Sequence, residues 1–291
     1  MTTTEILKNV RKIEIKTRGV VNQIFSGEYH SVFKGRGMDF SEVREYQYGD
    51  DVRSIDWNVS ARYNHPYVKV FEEERELTVM LIVDFSRSGN FGTVEKFKNE
   101  IAAELCAVLA FSALKNNDKV GMLLFTDIIE KFIPPKKGKS HALRLIRELL
   151  AFQPKNSGTN ISIALENLSH TIKRRCIAFV ISDFFDDGFE KALQLASKKH
   201  DVIALQLFDP KEQDIPKMGL VKFRDAETGI DRWVDTSSRT VREMFARYFE
   251  KLREQQKQIF LKTRVDAVSI RIDQSYITPL VNFFRMREGR R

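Results

Sequence analysis

The 291 residues carry a net charge of +8, with 42% hydrophobic and 30% charged side chains, a balance too apolar for a disordered chain and a length that can bury a substantial core. No window approaches the roughly 18–20 uninterrupted apolar residues of a membrane span. Cys106 and Cys176 each lie inside an apolar segment, so neither a disulfide framework nor a thiolate metal site is expected.

The first residues, MTTTEILKNVRKIEIK, hold no apolar core long enough for a signal peptide, and a cytoplasmic protein is expected. Ile6, Leu7, Val10 and Ile13 fall at helical spacing and predict an amphipathic first helix over 4–16. From about Val20 to Arg75 the pattern changes. Gly27, Gly35, Gly37 and Gly49 punctuate it, and YVKVF at 67–71 alternates like a strand, so short strands and ordered loops are expected. Asp50, Asp51, Arg53 and Asp56 are expected to form a salt-bridged network, buried or half-buried around Trp57. Residues 1–76 are taken as an N-terminal region and 77–291 as the main domain.

From Thr78 the rhythm is strand, loop, helix. TVMLIV (78–83) is a continuous apolar run, as in a parallel strand covered on both faces. A helix is expected over about 94–116, then strand VGMLLF (120–125) and an edge strand around EKFIP (130–134). Helices at about 141–152 and 160–173 precede strand CIAFVIS (176–182). A helix at 188–198 leads to strand DVIALQLF (201–208). VKFRD (221–225) and RWVDT (232–236) predict a hairpin near 221–236. A charged amphipathic helix over about 237–262, strand AVSIRI (267–272) and a last helix to about Arg287 complete the chain. Alternating strands and helices imply an α/β fold, a doubly wound, mostly parallel sheet.

In such a sheet ligands bind beyond the carboxyl ends of the strands, where the winding reverses. After TVMLIV come Asp84, Ser86 and Ser88. Thr159 lies next to Gly158, before a helix, and Ser182 and Asp183 follow CIAFVI. These are oxygen donors, suited to a hard cation and not to zinc or iron, since no Cys or His contributes. Singly, each segment also reads as an ordinary turn or helix cap.

Asp84-x-Ser86-x-Ser88, then Thr159, then Asp183, resembles the metal-ion-dependent adhesion site of von Willebrand factor A domains. The resemblance implies Mg²⁺, with Mn²⁺ or Ca²⁺ as alternatives, held by Asp84, Ser86, Ser88, Thr159 and Asp183. It also implies that an acidic side chain of a partner protein fills an open coordination position. Gly89 departs from the methionine often found after the second serine. The segment FKGRGMDFSEVREYQYGDDVRSIDWNVSAR further resembles the bacterial family called domain of unknown function 58. The matching residues are Gly35, Gly37, Phe40, Arg44, Tyr46, Gly49, Asp50, Asp51, Arg53, Asp56, Trp57 and Arg62, and PPKKGKSHALRLI (134–146) extends the likeness. That family places a small N-terminal region before a von Willebrand A-like domain. Its members are typically encoded beside MoxR-type AAA+ ATPases, which makes such an ATPase, or its target, the expected partner.

Other readings are weaker. Asp84, Asp183, Asp186 and Asp187 together would suit metal-dependent phosphoester hydrolysis, although Asp186 and Asp187 read first as starting the helix near 188. The basic clusters KRR (173–175) and RMREGRR (285–291) would allow nucleic-acid binding, but lack the aromatic interleaving of a single-strand platform. GKS at 138–140 is not a phosphate loop, because Ile133 stands where the first glycine is needed. The five histidines are scattered, and no G-x-S-x-G elbow is present. A non-catalytic interaction protein is the leading expectation.

Overall fold

The computed structural model describes residues 39–72, 76–86, 97–212, 215–224 and 231–290, together with Val10, Arg11, Ile13, Glu14 and Thr17. The packing divides the chain into Phe33–Leu77 on one side and Met1–Val32 with Thr78–Arg291 on the other. The sequence division had kept residues 1–76 together. Glu14, in the predicted first helix, pairs with Lys139 of the large unit at 2.9 Å. Ile6 and Leu7 of that helix lie outside the described residues.

The small unit is an antiparallel pair, β1 (Asp39–Glu45) and β2 (Tyr67–Glu72), linked through a 3₁₀ turn at Val52–Ser54 and a short helix α1 (Trp57–Tyr63). The expected network is met in part: Trp57 is 68% exposed, but Asp50 and Asp56 are half-buried and ion-paired, Asp56 with Lys69 at 3.4 Å. The acidic residues also serve locally. Asp51 accepts from the Arg53 amide and caps the 3₁₀ turn. Asp56 accepts from the amides of Asn58 and Val59 and caps α1. Asp50 takes both terminal nitrogens of Arg44 at 2.8 Å each, a bidentate pair that holds its carboxyl below the usual range. A helix so short, with no apolar stripe, leaves no periodic signal in the sequence, and α1 was not foreseen.

The large unit is built on a six-stranded sheet. Its strands are β3 (Thr78–Asp84), β4 (Lys119–Phe125), β5 (Ile129–Lys136), β6 (Ile177–Ser182), β7 (Asp201–Phe208) and β10 (Asp266–Arg271), in the order β10-β7-β6-β3-β4-β5. All pairings are parallel except β4 with β5. β5 is an edge, and it carries Pro134 and Pro135, which cannot donate to a further strand. Where β4 meets β5 the register shifts at Gly121. A Cβ there would lie 2.9 Å from the Pro135 nitrogen and 3.0 Å from the Ile133 carbonyl, so only glycine fits.

β3 and β6 are apolar and buried from Val79 to Val83 and from Ile177 to Ile181, because both sheet faces are covered. Met80, Ile82, Leu123, Phe125, Ala178, Val180 and Ala204 face one layer made by α4 (Ile161–Thr171), α5 (Glu190–Lys199) and Phe260 of α6 (Arg239–Thr263). α2 (Lys98–Lys115) packs against β3, β4 and β7, and is buried along most of its length by a run of alanines and leucines. α3 (Lys139–Leu150) packs beside it, and α7 (Ile277–Gly289) rests on β10. The hairpin is present as β8 (Leu220–Arg224) and β9 (Asp231–Asp235), and Phe223 stacks on Phe245 of α6 with centroids 5.9 Å apart.

β3 pairs with β4 on one side and with β6 on the other. The winding therefore reverses at β3, and the crevice of a doubly wound sheet opens above the carboxyl ends of β3 and β6.

Candidate metal centre

Asp84 is the last residue of β3 and Ser182 the last of β6. The Ser182 hydroxyl donates to Asp84 Oδ2 at 2.6 Å, and the Ser86 amide donates to Asp84 Oδ1 at 2.8 Å. That second bond closes a turn directly beyond the strand and buries Ser86 to 1% exposure. Asp183 follows Ser182, and Asp84, Ser182 and Asp183 line one small cavity. Burial pushes the Asp84 carboxyl up to about 7, and the charge of Asp183 adds to the push; the bonds from Ser182 and Ser86 only partly offset it.

Thr159 precedes α4 beyond the carboxyl end of β4. Asn160, its neighbour, donates its amide to the carbonyl of Thr126, which follows β4, at 2.9 Å, and its side chain caps α4 by accepting from the Ile163 amide at 3.0 Å. The structure thus brings Asp84, Ser86 and Asp183 together, whereas Thr159 lines a different, larger groove with Phe184 and Asp186. Ser88 and Gly89 lie outside the described residues, as do Gly35 and Gly37 of the N-terminal segment.

Two residues that sequence reasoning did not assign shape this centre. Lys98, the first residue of α2, is 2% exposed, and its ammonium pairs with Asp183 Oδ2 at 2.9 Å and with Glu212 Oε1 at 2.5 Å. Burial acts to lower the Lys98 pKa, but Asp183 and Glu212 overcome it and the net shift is upward. In KFKNE the residue reads as an ordinary solvated helix start. The one available signal is the apolar run on every side of the helix that follows. Phe184 adopts a left-handed backbone, φ 59°, costly for a bulky residue. Its amide donates to the Ser182 hydroxyl at 2.9 Å, its carbonyl accepts from Gln256 Nε2 at 2.6 Å, and its ring meets Phe260 edge-on at 5.1 Å. These bonds hold the turn that aims Asp183 at the cavity.

Asp186 does not start α5 as expected. Its Oδ2 accepts from the Ile161 amide at 2.7 Å, so it caps α4, and its burial raises its pKa. Asp187 is exposed. Among the described residues, no three His, Cys, Asp or Glu side chains form a cluster able to hold an ion by themselves. The candidate set is two carboxylates with hydroxyl oxygens. Its chemistry fits a hard dication: every donor is oxygen, and among the described residues Asp84 is bonded by Ser182 and Ser86 and ion-paired to no cation.

A sheet parallel but for one edge, wound on both faces, with an Asp-x-Ser turn and a second aspartate at the reversal point, defines a von Willebrand factor A-like domain. The chain belongs to the family described as "Protein of unknown function DUF58", whose model matches residues 42–257. An uncharacterized Mycobacterium tuberculosis protein, Rv1480, is 28% identical over 96% of this chain and 88% of its own length. Among solved structures, an aerotolerance-related membrane protein from Bacteroides fragilis is similar with a TM-score of 0.50 and 18% identity, over 74% of this chain and 100% of that one. A more distant likeness is to the SpRpn10 VWA domain, with a TM-score of 0.40 and 13% identity over 72% of this chain and 95% of that one. No helix among the described residues is long and apolar enough to cross a membrane.

Proposed function

We propose that the chain is a non-catalytic interaction module that holds Mg²⁺ at Asp84, Ser86, Ser88, Thr159 and Asp183 and binds a partner's carboxylate through the ion. The observation that carries this reading is the buried Asp84–Asp183 pair at the reversal point of the sheet, with the Asp84 carboxyl pushed up to about 7. Asp183 is paired with Lys98, so Asp84 is the buried carboxylate that favours an added cation, and a ligand supplied from outside completes the coordination of an ion bound there. A carboxylate in that position gains a charge-assisted contact that disappears when the ion is removed. By resemblance, the partner is a MoxR-type AAA+ ATPase or a target of one, in assembly or maturation of other proteins.

The test is capture of a MoxR-type ATPase by the immobilised chain, with Mg²⁺ and with EDTA. Capture that needs Mg²⁺ and is lost in Asp84→Ala is expected. Capture indifferent to both overturns the reading.

A further inference from the structure

Lys98 is a cation already built into the candidate centre. Its ammonium is buried, lies 2.9 Å from Asp183 and 2.5 Å from Glu212, and lines the same cavity as Asp84. The two carboxylates at the rim are therefore not equal. Among the described residues, Asp183 has a counter-charge in Lys98, whereas Asp84 takes hydrogen bonds from Ser182 and Ser86. Glu212 also holds the lysine, and itself accepts from the Asp209 amide at 3.3 Å. The Phe185 ring covers the ammonium, with its centroid 5.4 Å away. Arg253, stacked on Phe208 at 3.6 Å, adds a second positive charge felt by Glu212.

We infer that Lys98 is a positioning residue that sets the cation affinity of this centre: it occupies Asp183, weakens divalent binding, and keeps the occupied centre from turning negative, so that it accepts a partner's carboxylate. This rests on the metal reading above. The charge balance gives the mechanism. Lys98 is shared between Asp183 and Glu212, so with Lys98 in place the three carboxylates Asp84, Asp183 and Glu212 leave a net charge of −2, and a dication brings the centre to neutrality. Without the ammonium the same carboxylates hold a dication more strongly but leave the occupied centre negative, which repels an anionic ligand. The lysine thus trades affinity for the ion against affinity for an acidic partner.

The experiment is calorimetric titration of Mg²⁺ into EDTA-stripped, re-dialysed full-length chain, comparing wild type, Lys98→Met and Glu212→Gln, with melting curves for each. Lys98→Met is expected to bind Mg²⁺ at least about tenfold more tightly, which is about 1.4 kcal/mol, and to gain more in Tm on adding Mg²⁺ than wild type does. Glu212→Gln is expected to bind more weakly, because the lysine then turns wholly to Asp183. Simple damage to the fold would weaken both. If Lys98→Met does not fold without metal, the double variant Lys98→Met/Glu212→Gln removes the buried pair together and is expected to show the same tightening. Wild type that binds Mg²⁺ while a folded Lys98→Met, or the double variant, binds no more tightly overturns the inference and leaves the metal reading standing. Wild type without binding but Lys98→Met with binding supports the inference and refutes metal binding by the native centre. If no form binds, both fall.

Discussion

The Ser182 hydroxyl reaches Asp84 Oδ2 at 2.6 Å across 98 positions of sequence, tying the ends of β6 and β3 together at the point where the sheet reverses its winding. Ser182 also accepts from the Phe184 amide, so one hydroxyl fixes both the carboxylate on β3 and the turn that presents Asp183.

Asp84→Asn tests the cost of that buried charge. Without metal at pH 8, the variant is expected to be more stable than wild type by about 1–3 kcal/mol, because it removes an anion that burial and Asp183 disfavour. For a domain of this size each kcal/mol moves Tm by roughly 2–4 °C. Mg²⁺ should raise the Tm of wild type and leave that of the variant unmoved. The sign with pH follows from the raised pKa: between 3.8 and about 7 the folded state binds a proton that the unfolded chain releases. Metal-free stability contributed at this site therefore falls as pH rises through that interval, and Asp84→Asn flattens it.

His200 acts in the opposite direction. It is buried, its Nδ1 accepts from the Cys176 amide at 3.4 Å, and burial, helped by Lys199 and Arg175, lowers its pKa from 6.5 to about 4. Below pH 6.5 the unfolded chain takes up a proton that the folded protein refuses, so this contribution is lost as pH falls toward 4. His200→Gln is expected to remove that part of the acid-side slope in urea titrations at stepped pH. An unchanged slope would show that His200 titrates normally.

The apolar runs at 78–83, 120–125 and 201–208 announce strands because both faces of the sheet are covered, and the polar residues that end such runs mark the rim. Asp84, Ser86 and Asp183 could be singled out on that basis, while Thr159 was picked out by its place before a helix. The centre's electrostatics were not legible. Lys98 and Glu212 come from a helix start and a post-strand turn, and neither position announces that its side chain turns inward. Asp186 was misplaced for a related reason: its partner is the Ile161 amide, 25 positions earlier, and nearest-helix reasoning assigned it to α5. The charges beside Trp57 suggest a buried or half-buried network, and Asp50 and Asp56 do form half-buried ion pairs, but Trp57 stays outside and Asp51 and Asp56 serve chiefly as caps.

Gln256 supports the centre from α6. Its Nε2 donates to the Phe184 carbonyl at 2.6 Å, and its Oε1 accepts from Gln206. Gln256→Leu leaves the buried Phe184 carbonyl and the half-buried Gln206 amide without this partner, an expected cost of about 1–3 kcal/mol by chemical denaturation. Mg²⁺ affinity should fall with it, since the turn at 183–185 loses a restraint. Unaltered stability and affinity would remove Gln256 from the supporting structure.

Gly121→Ala tests the β5 edge. The added methyl meets backbone atoms of Ile133 and Pro135, so β5 must shift, at an expected cost of about 1–3 kcal/mol. A midpoint within error of wild type would mean that the edge strand moves freely. Mg²⁺ binding should persist, because the strand lies away from the reversal point.

The most direct measurement is the anomalous difference density of crystals grown with Mn²⁺ in place of Mg²⁺. A single peak between Asp84, Ser86 and Asp183, with at least one of their oxygens about 2.0–2.3 Å from it, is the predicted result. Density that stays empty there at saturating Mn²⁺, or a peak held by other residues, contradicts the account.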